Sequence, residues 1–135
     1  MEAGKLDSAS IYHYKAYEQH RMNGDSLSTS TLVGNLAELE NNAGNINKAM
    51  EFANLYLNNY KAFHQSDVLS NVYNVIAVVN QKKGQFEKAN EYNEKSLKIR
   101  SEEGVSLHHI ANNYLIRSEI QQALGNHKAA LDALN

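Results

Sequence analysis

Residues 72–89 read VYNVIAVVNQKKGQFEKA and carry the clearest structural pattern in the sequence. In its first part apolar residues such as Val72 and Ile76 recur at intervals of three and four, which is typical of an amphipathic helix. Gly84 then interrupts the pattern, and glycine readily adopts the left-handed conformation that ends a helix. Ala89 in the following segment is small enough to let two helices approach closely. The stretch therefore predicts a helical hairpin.

The glycine of this hairpin belongs to an internal repeat. Four such glycines are spaced by 40, 40 and 41 residues: Gly4, Gly44, Gly84 and Gly125. Each opens a phrase with a bulky residue two places on and an alanine five places on. Asn45 and Asn126 follow two of the glycines, and asparagine is favoured as the first capping residue of a helix. Four occurrences at a near-constant period predict an array of helical hairpins.

The repeat and the apolar spacing together predict an all-α protein of about seven helices. We expect these helices near residues 5–23, 27–42, 45–63, 67–82, 85–101, 105–123 and 126–135. Stop and capping signals lie between hairpins, at residues 23–26, 65–67 and 101–104. Proline is absent, which removes the strongest helix breaker. Residues 1–135 then form one domain of a partial repeat (1–24), two full repeats (25–65 and 66–104) and a second partial repeat (105–135).

Composition narrows the classes of partner. The chain has 135 residues, 42% of them hydrophobic and 21% charged, values typical of a globular domain. The net charge of -2 argues against direct binding to nucleic acid. No apolar run approaches the roughly 20 residues that a membrane-spanning helix needs, so we expect no membrane insertion within this stretch. We expect a cytoplasmic location, or an extracytoplasmic one if a signal or anchor lies outside it.

The repeat resembles the tetratricopeptide repeat family. That family has an aromatic residue, a large-plus-small pair, a hairpin glycine, a second aromatic and an alanine. In residues 72–89 these positions are held by Tyr73, Ile76, Ala77, Gly84, Phe86 and Ala89. In the preceding unit they are held by Val33, Leu36, Ala37, Gly44, Ile46 and Ala49. In the last unit they are held by Tyr114, Arg117, Ser118, Gly125, His127 and Ala130, with Arg117 replacing the large apolar residue.

The repeat departs from the pattern of that family in two ways. The proline that ends its repeats is missing, and the period is about 40 residues instead of 34. This is similar to the long-repeat subgroup of kinesin light chains, cell-polarity adaptors and bacterial peptide-sensing regulators. The resemblance implies a right-handed α-solenoid of antiparallel helix hairpins. Because the pattern is cut within a repeat at both ends, we expect a fragment of a longer array that self-associates through its end helices.

The resemblance also implies a binding surface. In such stacks the first helix of each hairpin lines a concave groove, through the second, fifth, ninth and twelfth positions of that helix. Those positions map to Thr31, Gly34, Glu38, Asn41, Asn71, Asn74, Val78, Gln81, Asn112, Leu115, Glu119 and Gln122. Asparagine and glutamine both donate and accept hydrogen bonds, which suits an extended peptide backbone. The alternative is compositional, because asparagine accounts for 18 of the 135 residues and will occupy many polar positions.

The resemblance does not imply the basic subtype that grips a partner's terminal carboxylate, because no mapped position is Lys or Arg. Catalytic motifs are also absent, as is cysteine, so we expect neither an enzyme nor a cofactor. The histidine pairs at 13/20 and 108/109 lack the spacing of three or four that metal ligands on a helix prefer, so no metal site is expected.

Three functions remain open. The first is a scaffold module that binds a protein or peptide partner in the groove. The second is a sensor segment of a larger bacterial signalling protein, a kinase or a transcription regulator, in which a ligand shifts the array. The third is a structural element that works by self-assembly. The fold alone does not choose among them, because one fold supports many functions.

Overall fold

The computed structural model describes residues 8–22, 24, 26–63, 65–104 and 107–134, and every regular element in these ranges is helical. In chain order the helices are α1 (Ser8–Met22), α2 (Ser26–Asn42), α3 (Ile46–Asn59), α4 (Ser66–Lys82), α5 (Phe86–Glu102) and α6 (Leu107–Ala133). A short 3-10 helix at Lys61–Phe63 lies between α3 and α4. The prediction of an all-α protein is therefore confirmed for the part of the chain that the structure describes.

Two of the predicted hairpin turns form as the glycines indicate. Gly44 and Gly84 have φ angles of 84° and 76°, which residues with a side chain rarely adopt. At the first turn the backbone N–H of Asn45 donates to the carbonyl of Glu40 (2.9 Å). The matching bond at the second turn joins Gln85 to Asn80 (2.9 Å). These bonds satisfy the last carbonyls of α2 and α4 while the chain reverses.

The alanines of the repeat are buried within the two hairpins. Ala37 and Ala49 are fully buried in the α2–α3 hairpin, and Ala77 and Ala89 are fully buried in the α4–α5 hairpin. A larger side chain at these positions would hold the two helices further apart. The burial of these alanines agrees with the role predicted for them in the two hairpins.

The prediction of a seventh helix is wrong. The structure has six α-helices in its described residues, because α6 runs without a break through Gly125, where a turn was expected. Asn126, which was expected to cap the next helix, lies inside α6. Both ends of that helix leave large apolar side chains exposed, including Leu107 and Leu134. The segment 105–135 therefore contains one helix of 27 residues instead of a hairpin.

The first copy of the repeat phrase falls partly outside the described residues. Gly4 and the rest of residues 4–7 are not among them, and neither are Asn23 and Asp25 of the predicted stop signal. Asn45, which was expected to cap α3, occupies the capping position, but its side chain makes no capping bond. It donates instead to the Glu40 carboxylate (3.0 Å), so it stabilises the turn from the α2 side.

The helices form a continuous body with two apolar clusters. Each helix contacts its neighbour in the chain, and in addition α2 contacts α4 and α4 contacts α6. The larger cluster joins α2, α3 and α4 around residues such as Val33, Tyr56 and Ile76. The smaller one joins α5 and α6 through Ala89 and Ile120, together with Ile116. Besides its neighbours in the chain, α4 thus contacts both α2 and α6.

A polar bridge joins α1 to the first hairpin turn. The Tyr14 hydroxyl donates to the carboxylate of Glu40 (3.1 Å), which is buried in α2. The Tyr14 ring also packs edge-on against Phe52 of α3, with 5.7 Å between the ring centroids. Burial, together with the Glu40 charge and hydrogen bond, raises the pKa of the Tyr14 hydroxyl well above its usual range.

This bridge predicts a loss of stability at alkaline pH. Because the folded state holds the Tyr14 proton more tightly than the unfolded chain, its contribution is fully present below about pH 10 and declines as the pH rises toward the raised folded pKa. Tyr14→Phe should lower the free energy of unfolding by about 1 kcal/mol near neutral pH. Urea unfolding at about pH 8 and about pH 11 should show a smaller difference from wild type at the higher pH. The same difference at both pH values would contradict this linkage.

Candidate functional site

A polar cavity of about 260 Å³ is lined by residues of four helices, α2, α4, α5 and α6. One wall is formed by the last turns of α2, which contribute Glu38, Asn41 and Asn42. The floor is formed by Asn74 and Val75 of α4, where α4 lies against α2. Glu38 and Asn41 are three residues apart, so both project from the same face of α2.

The opposite wall comes from the junction of α5 and α6. Arg100 extends from the last turn of α5, and His108, His109 and Asn112 lie in the first turns of α6. The two imidazole rings contact each other edge-on, with 5.9 Å between centroids. Four helices thus contribute to one cavity, although their residues are as far apart in the sequence as Glu38 and Asn112.

Arg100 is the dominant charge of the site. Only 3% of its surface is exposed, yet no ion pair reaches it among the residues that the structure describes. Its Nη1 donates to the carbonyl of His109 (3.1 Å) and to Oδ1 of Asn113 (2.6 Å), and its Nη2 donates to Oδ1 of Asn71 (2.9 Å). The guanidinium is therefore held by neutral oxygens, which fix its position without cancelling its charge.

The network behind Arg100 extends into the core. The Asn113 side chain donates to Oδ1 of Asn93 (2.9 Å), and the Asn93 side chain donates back to the carbonyl of Asn113 (2.9 Å). Both asparagines are fully buried, so this reciprocal pair joins α5 to α6 away from water. Hydrogen bonds in such surroundings are strong, and the pair limits the freedom of the guanidinium that it supports.

The electrostatics of the cavity have two sources. Burial lowers the pKa of the Arg100 guanidinium, and the Glu38 carboxylate on the facing wall opposes this shift. Arginine remains charged even so, because its usual pKa is far above neutral pH. The cavity therefore has a positive group on the α5 wall and a negative group on the α2 wall, and the two do not form an ion pair.

Two amide atoms beside the cavity are buried without a hydrogen-bond partner: Oδ1 of Asn41, an acceptor, and Nδ2 of Asn74, a donor. A buried polar atom without a partner costs about 1–3 kcal/mol, so most proteins avoid it. Both residues also line the cavity, on neighbouring helices. Two of the three buried unpartnered side-chain atoms in the described residues therefore belong to this cavity.

Four of the predicted groove positions meet at this cavity: Glu38, Asn41, Asn74 and Asn112. Asn71 lies beside them and holds Arg100. Gly34, which the mapping also placed in the groove, is buried against Val68 of α4 and offers no surface to a ligand. That assignment is wrong, because α2 and α4 pack most closely at this point.

The remaining predicted positions lie outside the cavity. Thr31 is half-buried and bonds to the carbonyl of Leu27 in its own helix (3.2 Å). Val78 packs against the cluster formed by α5 and α6, and Gln81 is half-buried nearer the hairpin turn. Three positions on α6 are exposed: Leu115, Glu119 and Gln122. They extend the surface along α6 but do not close it into a site.

Arg100 is the functional residue that sequence reasoning missed. No mapped position is Lys or Arg, but the mapping covered only the first helix of each hairpin, and Arg100 reaches the cavity from α5. A signal was present in the sequence. Asn93, Ser96 and Arg100 follow Ala89 at intervals of four, three and four, which places a charge on the buried face of α5. A charge in that register needs polar partners.

The other cavities have fewer polar groups that could recognise a ligand. A larger one of about 480 Å³ lies beside the second hairpin turn and is lined by residues such as Phe86, Leu124 and His127. Its surface is mostly apolar, and none of the described unpartnered buried atoms belongs to it. A third space near Tyr60 has only about 70 Å³. The polar cavity at Arg100 is therefore the candidate functional site.

No significant match to this chain is found among family models, curated proteins or solved structures. Across the described residues, no three His, Asp or Glu side chains cluster in a way that could hold a metal ion. The helices described above include none with the length and apolar character needed to cross a bilayer.

Proposed function

We propose that this chain is a scaffold module that binds a peptide or protein partner along the surface shared by α2, α4 and α6. The observation that carries this proposal is the gathering of Glu38, Asn41, Asn74 and Asn112 at one cavity. The side-by-side contacts of α2 with α4 and of α4 with α6 support a solenoid in which that surface is concave.

The two unpartnered amide atoms favour a peptide as the ligand. A peptide bond supplies one N–H donor and one carbonyl acceptor, which complement Oδ1 of Asn41 and Nδ2 of Asn74. Side-chain rotation would present these atoms to the cavity. Each bond formed in this way would contribute about 1 kcal/mol, and would also remove the cost of an unsatisfied buried group. Binding would thus explain why the fold keeps two unsatisfied polar atoms that reduce its stability.

A peptide screen tests this function. The 135-residue chain and the variant Asn41→Ala/Asn74→Ala should be screened in parallel against the same random peptide library. We expect wild type to select peptides that the variant binds at least about tenfold more weakly, since two bonds at roughly 1 kcal/mol each are lost. Affinities of the selected peptides should be measured by titration calorimetry.

Asn90→Ala provides the matched control. Asn90 also has a buried, unpartnered Oδ1, but it lies on α5 away from the cavity. This variant should bind selected peptides as wild type does, and circular dichroism should show the same helicity for all three proteins. If no peptide is selected, or if the double variant binds equally well, the surface does not act as a peptide groove.

A second candidate function is self-association through α6. Tyr114 and Leu115 are exposed on α6, as are Leu131 in its last turn and Leu134 just after it, each with more than half of its surface accessible. Large exposed apolar side chains near both ends of one helix favour a protein interface. We propose that two copies of the chain associate through this helix.

Association through α6 predicts a concentration-dependent mass. Sedimentation velocity should show dimers of the wild-type chain at high protein concentration, whereas Leu115→Glu/Leu131→Glu should remain monomeric, since charged residues are unfavourable in the core of an interface. Glu119→Gln, an exposed change on the same helix, should leave the association unchanged. Monomers at every concentration tested would exclude this interface.

A further inference from the structure

The cavity at Arg100 is polarised between opposite charges. Glu38 on α2 supplies a carboxylate, for which the structure describes no hydrogen bond or ion pair. Arg100 on the facing wall supplies a guanidinium, three of whose five N–H groups donate to the neutral oxygens described above. The residues that line the rest of the cavity are asparagines, one valine and two histidines. Among the described residues that line this space, Glu38 and Arg100 are the only members of the Lys, Arg, Asp and Glu types.

From this arrangement we propose that the cavity binds a small zwitterion, namely a free α-amino acid. Its α-carboxylate would accept hydrogen bonds from Arg100, and its α-ammonium would donate to Glu38. A peptide cannot reproduce this charge pair, because its terminal ammonium and carboxylate belong to different residues. The inference uses the same cavity as the peptide-binding proposal, but it requires no peptide and stands without one.

The charge arrangement agrees with this ligand in three respects. A charge-assisted hydrogen bond is roughly twice as strong as a neutral one, and Arg100 offers its N–H groups in a rigid fork that matches a carboxylate. The first turn of α6 lies against Arg100 and adds the partial positive charge of a helix N-terminus on the same side. The α2 side of the cavity carries the Glu38 carboxylate and the unpartnered Oδ1 of Asn41, both of which can accept a hydrogen bond from an ammonium group.

The size of the cavity sets an upper limit on the side chain. A volume of about 260 Å³ corresponds to roughly nine water molecules at about 30 Å³ each. This is room for the charged core of an amino acid and a side chain of a few atoms. Asn112 and the two histidines at the α6 wall would contact that side chain, so we expect small polar side chains to be preferred over large aromatic ones.

The first test uses the ligand as the variable. The twenty standard free L-amino acids are titrated into the 135-residue chain at neutral pH, and binding is measured by calorimetry and by the rise in melting temperature. For the best binder, the N-acetylated derivative removes the ammonium and the amide derivative removes the carboxylate. Each derivative should bind at least about tenfold more weakly than the parent, because each loses one charge-assisted contact.

The second test uses the protein as the variable and avoids Arg100, whose loss would disturb the fold. Glu38→Gln keeps the shape of a half-buried side chain for which no bond is described. It should weaken binding of the free amino acid at least about tenfold while leaving the N-acetylated form unaffected, so that the two ligands bind equally. Glu119→Gln on α6, outside the cavity, should change neither affinity.

The results separate this inference from the proposed function. It is overturned if no amino acid binds, if either derivative binds as well as the parent, or if Glu38→Gln leaves the discrimination intact. Peptides selected in the screen could still bind in those cases, and the scaffold function would remain. If amino acids bind as expected but no peptide does, the zwitterion site stands and the scaffold function fails.

Discussion

Gly34→Leu should lower the free energy of unfolding by more than about 3 kcal/mol, and Gly34→Ala by about 1–3 kcal/mol. Gly34 is buried where α2 crosses α4. A Cβ atom placed there would overlap Cγ1 of Val68 and lie 3.5 Å from Cγ2 of Val72. Alanine gains about 1 kcal/mol of helix propensity over glycine, but the overlap falls on a stiff β-branched side chain that cannot rotate away. Chemical unfolding of the three proteins measures the difference.

Two further variants make this result specific. Gly125 also lies inside a helix, but a Cβ atom there would meet nothing within 4 Å, so Gly125→Ala should raise stability by up to about 1 kcal/mol. The double variant Gly34→Ala/Val68→Ala should be more stable than the sum of the two single losses predicts, because removing Cγ1 relieves the overlap. If Gly34→Ala is as stable as wild type, α2 and α4 do not pack as described.

Arg100→Ala is expected to have the other large effect, a loss of about 3–5 kcal/mol, which is the scale for breaking a buried charged network. The substitution leaves Oδ1 of Asn71 and Oδ1 of Asn113 without their donor and opens a cavity at the end of α5. Arg100→Lys should lose less, because it keeps the charge, although a single ammonium cannot reproduce the fork. Thermal and urea unfolding would measure both losses.

Arg117 provides the control for a surface arginine. Its guanidinium makes two bonds to the Glu94 carboxylate on α5 (2.7 and 2.6 Å), but 36% of the Arg117 side chain and 41% of the Glu94 side chain are exposed. Exposed ion pairs contribute at most about 1 kcal/mol, so Arg117→Ala should cost no more than that. Equal losses at Arg100 and Arg117 would show that the buried network does not hold α5 to α6.

The repeat glycines show both what the sequence pattern predicts correctly and where it fails. Gly44, Gly84 and Gly125 open similar phrases, yet only the first two have positive φ angles and end a helix. The phrase permits a turn but does not force one. A reversal of the chain is favoured where the next helix can bury large side chains, and α3 does so with Tyr56. Leu131 and Leu134, the large apolar residues between Gly125 and Asn135, are both exposed, so this stretch buries no apolar face that would favour a reversal.

In the candidate site too, some residues could be predicted from the sequence and others could not. The register taken from the sequence predicted four polar residues of α2, α4 and α6 that line one cavity, because residues at intervals of three and four share a face of a helix. It could not supply Arg100, since a long side chain from a second helix enters the same space, and the sequence period says nothing about how far a side chain reaches. It also could not show that Gly34 is buried, because that depends on the distance between α2 and α4.

The reciprocal amide pair of Asn93 and Asn113 has a consequence for how α6 finds its position on α5. The apolar contact between these helices is narrow, with Ala89, Ile116 and Ile120 as its buried members. Such a surface would fit almost as well if α6 slid by one turn, about 5.4 Å. After that shift the two buried amides would face apolar side chains and lose their bonds. The pair therefore acts chiefly by penalising the wrong alignments, as single buried asparagines do in coiled coils.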